Sequence, residues 1–130
     1  MEQIIRTIRN KLAGDPILTT IIHSNDITTG HNAKLANYPC ALLSISAGGS
    51  GTQISGVSEA VLTINIYSKA SKHQLLVIYD RIKSLIHNNE RSITDVSAVI
   101  HSIKESFVDE SKFDNAHSVW LLTARYNILY

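Results

Sequence analysis

Residues 58–86 read SEAVLTINIYSKASKHQLLVIYDRIKSLI, and a change of hydrophobic period inside that stretch decides the fold. From Ser58 to Tyr67 the period is two: Ala60, Leu62, Ile64 and Ile66 point one way, and Val61, Thr63, Asn65 and Tyr67 the other. That alternation predicts a strand with one fully buried face. From Leu75 onward the period lengthens, and Leu75, Leu76, Ile78, Tyr79, Ile82, Leu85 and Ile86 lay down a wide helical stripe. Between the two, Ser71-Lys72-His73-Gln74 has the Ser-x-x-Gln form of a capping box, and Asn88-Asn89 ends the helix. Burying the stripe on the Leu62, Ile64 and Ile66 face contributes on the order of 1.5–3 kcal/mol per large side chain, which makes this contact the expected centre of the core.

Upstream, Ile4, Ile5, Ile8 and Leu12 recur at helical spacing and predict an amphipathic helix from about Glu2 to Ala13, stopped by Gly14. Asp15-Pro16 then offers an N-cap with proline at the first helical position of a short second helix carrying Ile17, Leu18, Ile21 and Ile22. From His23 to Asn37 there is no periodicity, as in a polar loop. Pro39 opens a first strand, Cys40 to Ala47, bounded by Gly48-Gly49-Ser50-Gly51. Downstream, a third strand is expected from about Val96 to Phe107, a polar turn from Asp109 to Asn115, and a last strand from His117 to Tyr130. In that strand Trp120, Leu122, Ala124, Tyr126, Ile128 and Tyr130 share a face. The order is α-α-β-β-α-β-β. It implies one α+β domain over residues 1–130, with a small antiparallel or mixed four-stranded sheet, the long helix on one face, and N-terminal helices.

The bulk numbers restrict function. A chain of 130 residues can build one core without metals or disulfides. Twelve basic against eleven acidic side chains give a net charge of +1, without the basic face that sequence-independent nucleic-acid binding needs. Charged residues are 18% of the chain, below the usual quarter, which leaves surface to neutral and apolar groups and points toward self-association. No segment has the ~18 apolar residues of a membrane span, and Arg6, Arg9 and Lys11 interrupt what a signal peptide would need as its apolar centre. A cytosolic protein, or one assembled from a cytosolic pool, is expected. The lone cysteine, Cys40, reads as a buried hydrophobe.

Catalytic patterns are missing. His23, His31, His73, His87, His101 and His117 form no metal-ligand pair, and Cys40 has no CxxC partner, so neither metal nor cofactor is expected. Gly48-Gly49-Ser50-Gly51-Thr52 lacks the Lys-Ser/Thr of a phosphate loop, and Thr52 takes the place of the last glycine of a nucleophile elbow. A hairpin tip is the simpler reading. The acids Glu105, Asp109, Glu110 and Asp114 lack the spacing of a calcium loop. The chain is expected not to be an enzyme. Two rivals leave a residue signature: a small ligand-binding domain would use His101, His117 and Glu105, and a nucleic-acid module would use Tyr67, Tyr126 and Arg125 on an exposed sheet face.

Several landmarks, in order, resemble the tail terminator or tail-completion proteins of long-tailed bacteriophages. They are the N-terminal helix, Asp15-Pro16-Ile17-Leu18, the strand entry Tyr38-Pro39-Cys40-Ala41-Leu42, the strand end Ile64-Asn65-Ile66-Tyr67-Ser68-Lys69-Ala70, and the acidic turn Asp109-Glu110 before a last strand through Arg125-Tyr126. The resemblance implies a virion protein that forms a ring, usually a hexamer, on the finished tail tube. Such a ring ends tube polymerisation and meets the head-proximal connector; another neck role, head completion or adaptor, is the alternative. A departure lies in the loop from Gly48 to Gly56, opening on Gly48, Gly49, Ser50 and Gly51, which is Gly/Ser-rich and carries no charge for a tube contact. A ring needs two complementary patches per subunit. Candidates for the contact surface are that loop, the acidic turn Asp109 and Glu110, and a semi-apolar sheet face of Val61, Tyr67, Val119, Leu121 and Leu129. Tyr130, at the end of the last strand, is a further candidate for pairing with a neighbour. The competing account of the apolar face is coverage by the two N-terminal helices of the same chain.

Overall fold

The computed structural model describes residues 2–30, 37–47, 58–93, 100–109 and 111–130. Helix α1 (Glu2–Ala13) leads through a 3₁₀ turn (Leu18–Thr20) and a second one (Ser24–Asp26) to strand β1 (Ile27–Thr29). Strands β2 (Cys40–Ala47) and β3 (Glu59–Ser68) precede helix α2 (Lys72–Ile86) and a single-turn helix α3 (Glu90–Ile93). Strands β4 (Ser102–Val108), β5 (Lys112–Asp114) and β6 (Val119–Leu129) complete the chain. The result is an α+β fold with a six-stranded mixed sheet in the order β1-β2-β3-β6-β4, with β5 pairing β6 beyond the end of β4.

The sheet is larger than the sequence pattern predicts. Strand β1 lies inside the expected polar loop and runs parallel to β2, and β5 lies inside the expected polar turn. Each is three residues long, too short for alternation to register. The second predicted helix is a 3₁₀ turn, and the third predicted strand begins at Ser102; residues 96–99, assigned to it from sequence, lie outside the described residues. The long helix ends where the asparagines placed it. Its last residue is Ile86, and Asn88 has the positive φ of 53° that asparagine tolerates better than most residues. At its start Ser71 Oγ accepts from the Gln74 backbone N–H at 3.1 Å. Gln74 does not reach back to the cap as a full capping box would; its side chain meets the buried Ser68 hydroxyl instead.

Strand β3 alternates without a break, with Ala60, Leu62, Ile64, Ile66 and Ser68 buried and the residues between them half-exposed. It pairs on one side with β2 and on the other with β6, so that Ile64 faces Leu43 and Ala124, and Leu62 faces Ile45 and Tyr126. These residues meet Leu75, Ile78, Ile82 and Ile86 of α2 and Ile4, Ile5, Ile8 and Leu12 of α1 in one hydrophobic cluster. Both N-terminal helical segments and α2 therefore lie on the same side of the sheet. Coverage of the opposite face by the N-terminal helices is ruled out.

The N-terminal segment is fastened by Asp15, whose side chain is 7% exposed. Its carboxylate accepts from the Leu18 backbone N–H at 2.8 Å, capping the 3₁₀ turn, and from Arg81 Nε and Nη2 at 2.9 and 2.7 Å. The fork of donors from Arg81 holds the Asp15 carboxyl below its ordinary pKa against the opposing effect of burial. A folded-state pKa below the unfolded value means that the contribution is present above the ordinary carboxylate range and is lost as pH falls through the folded value. Replacing Asp15 by Asn should cost about 1–3 kcal/mol in urea unfolding at pH 6. The gap between wild type and Asp15→Asn should narrow below about pH 4. A variant as stable as wild type at pH 6 would refute the assigned role.

Candidate interaction surfaces

The helix-free face of the sheet is built from the residues that alternate out of the core. Leu42, Val61, Thr63, Asn65, Tyr67, Leu121, Thr123 and Leu129 are all half-exposed there, and Arg125 and Phe107 are exposed. Register puts Leu121 beside Tyr67 and Leu129 beside Glu59. Thr123 Oγ1 donates to Asn65 Oδ1 at 2.7 Å, and the Arg125 guanidinium lies 5.5 Å from the centre of the Phe107 ring. Among the described residues no helix covers this face. At one end of it the Tyr67 hydroxyl is held above its ordinary pKa, by burial first and then by Cys40, Tyr38 and Asp114 nearby. The same burial pushes the Cys40 thiol up to about 11, and that residue is inert packing.

The predicted contact residues divide under this geometry. Val61, Tyr67, Leu121 and Leu129 share the open face. Val119 is 1% exposed and so falls out of that surface. Tyr130 packs against the core, and its backbone exchanges two hydrogen bonds with Ser58, at 2.7 and 2.9 Å. Strand β6 lies between β3 and β4, so the end of the chain offers no free edge to a neighbour. Asp109 is half-buried and holds Lys112 at 3.1 Å. Gly48, Gly49, Ser50, Gly51 and Glu110 lie outside the described residues.

Among the described residues the free sheet edges are β1 and β4 with β5. The β1 edge is short, and Arg9 donates to the Ile27 and Ser24 carbonyls at 3.0 and 2.9 Å. The β4 edge carries the exposed side chains of Phe107 and Val108, and Phe113 on β5 stands edge-on to Trp120 with ring centres 5.2 Å apart. Sequence periodicity placed a strand here but did not mark its exposed apolar residues, because a bulge between Glu105 and Phe107 breaks the alternation of β4. Between α2 and this edge lies a cavity of about 350 Å³, bordered by Lys72, Leu76, Tyr79, Val108, Asp109 and Leu122. Leu76, assigned to the buried stripe from sequence, is 40% exposed at its mouth, because the stripe is wider than the helix face that the sheet covers.

Glu105 sits deeper on the same side. Burial works to raise its pKa, but Lys83 Nζ at 2.8 Å and the Tyr79 hydroxyl outweigh that and hold it below the ordinary value. Its backbone N–H donates to His87 Nδ1 at 2.9 Å. Tyr79 responds in the opposite sense, pushed up to about 12 by burial and by its bond to Glu105. The cluster is a structural tie between α2 and β4: each acceptor is committed to a donor in the same protein. The rival ligand-binding set does not converge. His101 bonds at the Leu129 end of β6, and His117 pairs with Asp114 before the Val119 end, roughly 30 Å away along the strand. Tyr126 is fully buried, which removes it from any base-stacking surface. Among the described residues no group of three or more His, Cys, Asp or Glu side chains could hold a metal ion, and no helix is long and apolar enough to cross a membrane.

No family model and no curated protein matches the chain. Among solved structures it is similar to a chain of "Virion of native gene transfer agent (GTA) particle", with a TM-score of 0.72 over 94% of this chain and 90% of that one. Identity is 8%, so the likeness is one of fold.

Neighbouring residues on β6 test the two-sided reading of the sheet. Leu121→Lys on the open face should change stability by less than about 1 kcal/mol, whereas Leu122→Lys, one residue on and buried, should cost about 3 kcal/mol or more in denaturant unfolding. Equal losses at both positions would mean that the open face is covered within the monomer.

Proposed function

We propose that the protein is a structural component of a phage or phage-like virion that caps the tail tube as a ring. On this reading the ring, a hexamer by analogy with the proteins it resembles, ends tube growth and presents its other side to the head-proximal connector. The chain would be built in the bacterial cytoplasm and end in the particle, at the tail and neck, with no catalytic step of its own. The observation that carries the reading is fold likeness over nearly the full length of both chains to a component of a gene transfer agent virion, at a TM-score of 0.72. The ordered landmarks from Asp15-Pro16 to Arg125-Tyr126 support it independently.

The surface suits the task. A sheet buried on one face by three helical segments and semi-apolar on the other has area to give to partners, and the residues there (Leu42, Val61, Tyr67, Leu121, Leu129) mix apolar bodies with polar neighbours as partner-binding surfaces do. The polar clusters near it are internally matched. They stiffen the subunit rather than turn over a substrate.

Purified protein, alone and mixed with its cognate tail-tube protein, should show six-fold annular particles by negative-stain electron microscopy. Label on the subunit should fall at the head-proximal end of the tube. A protein that stays monomeric and ignores tube protein would overturn the reading, and label at the portal side of the neck would favour the adaptor alternative.

A further inference from the structure

The helical layer and the open sheet face lie on opposite sides of the subunit, and each keeps charge that nothing in the same chain answers. On α2 the buried residues Leu75, Ile78, Ile82, Leu85 and Ile86 mark the inner face. Asp80 stands two residues beyond Ile78, about 200° around the helix, and so near the middle of the outer face. It is exposed and makes no ion pair or side-chain hydrogen bond among the described residues. Leu76 and Val77, four and three residues before it, flank it there, and each is 40% exposed. Ile17, at 54% the most exposed large apolar side chain among the described residues, stands on the Val77 side, two residues after the Asp15 that Arg81 holds.

The open sheet face carries the opposite sign. Register places Arg125 between Thr63 of β3 and Phe107 of β4, and Lys104 beside Asn127, one diagonal step away on the same face. Both cations are exposed, and neither has an acidic partner among the described residues. Val61, the diagonal neighbour of Arg125 on β3, gives it an apolar border opposite the Phe107 ring. The other charges near this face are matched or distant. Lys112 pairs with Asp109 and His117 with Asp114, while Glu59 lies four residues along β3 from Thr63, roughly 13 Å away. Lys72, a second unmatched charge on α2, is two turns from Asp80 and on the flank toward β4.

The two patches are thus alike in layout and opposite in sign: an acid between Leu76 and Val77, and a cation between Phe107 and Val61. The sheet lies between them, so they cannot meet within one chain. Two open faces laid together would leave Lys104 and Arg125 unanswered, and two outer faces of α2 would leave Asp80 so. A helix on the bare face is also the layer that this sheet lacks. We infer that the outer face of α2 of one copy packs on the open sheet face of the next, with Asp80 against Arg125 and Lys104. The contact joins two different patches, so it is head-to-tail, and repeated contacts of that kind close into a ring or run on as a filament. The inference deepens the ring reading and rests on it for the identity of the occupant.

A charge swap tests it. Asp80→Lys and Arg125→Glu, both at exposed positions, should each keep the far-ultraviolet circular dichroism of the wild type and weaken self-association by about tenfold or more in sedimentation, because each sets like charges together. The double variant restores an opposite pair and should associate within about threefold of wild type. A second measurement does not depend on charge. Val77→Cys protein mixed with Val61→Cys protein under mild oxidation should give disulfide-linked pairs that neither variant gives alone, the native Cys40 being buried in both. Cross-linking of Val61→Cys protein with itself would mean that two sheet faces meet and would overturn the inference. A double variant no better than the single ones, with no mixed cross-link, would also overturn it. Annular particles that persist in every variant would do the same and leave the ring reading standing. Wild-type protein that is monomeric at every concentration would overturn it too, the ring reading then resting on tube binding alone.

Discussion

The pairing of β3 with β6 is the constraint on which the rest depends. Ten consecutive residue pairs, from Glu59 with Leu129 to Ser68 with Trp120, fix one register. A slip of one residue would turn the buried set of one strand onto the solvent face, Leu62 and Ile64 of β3 or Leu122 and Tyr126 of β6, and bring Thr63 and Asn65, or Thr123 and Arg125, inside. Apolar burial therefore specifies that register strongly. With it set, the platform for α2 and α1 exists on one side only, and every helical segment that needs cover has to share it.

Sharing one face leaves the other half-dressed. The open face is neither polar enough to look like a finished surface nor apolar enough to force a permanent core. That intermediate character leaves the face able to take a partner without requiring one. The polar ties follow the same logic. Asp15 with Arg81, and Glu105 with Lys83 and Tyr79, each join α2 to an element on a different flank, so the helix is fixed at both sides and its two flanks become rigid surfaces.

Much of the fold was legible from period alone. The strand through Leu62, Ile64 and Ile66, the helix from Lys72 to Ile86 and the α1 stripe carry enough repeats for burial to print itself on the residues. What escaped has physical reasons. Strand β1 is three residues of Ile-Thr-Thr, stabilised by pairing with β2 and by Arg9 and not by a pattern of its own. Strand β5 is a continuation of the β6 hairpin, in residues whose composition reads as a turn. On the surface, Val61, Tyr67, Leu121 and Leu129 could be assigned to one face from alternation, but Val119 could not be told from them, since alternation gives a side of the sheet and not what covers it. The cavity, the bulge beside it and the exposed Ile17 are products of tertiary placement and left no sequence signal.

The last strand in the chain is a middle strand in the sheet. Strand β6 lies between β3 and β4, and β5 pairs with it alone. No nascent chain shorter than about residue 119 can close the sheet, and until it does, the strand edges and apolar faces of β3 and β4 stand open to other nascent chains. Folding of this sheet must then wait for β6 to leave the ribosome, and translation products that stop before it should be a ready substrate for chaperones and proteases.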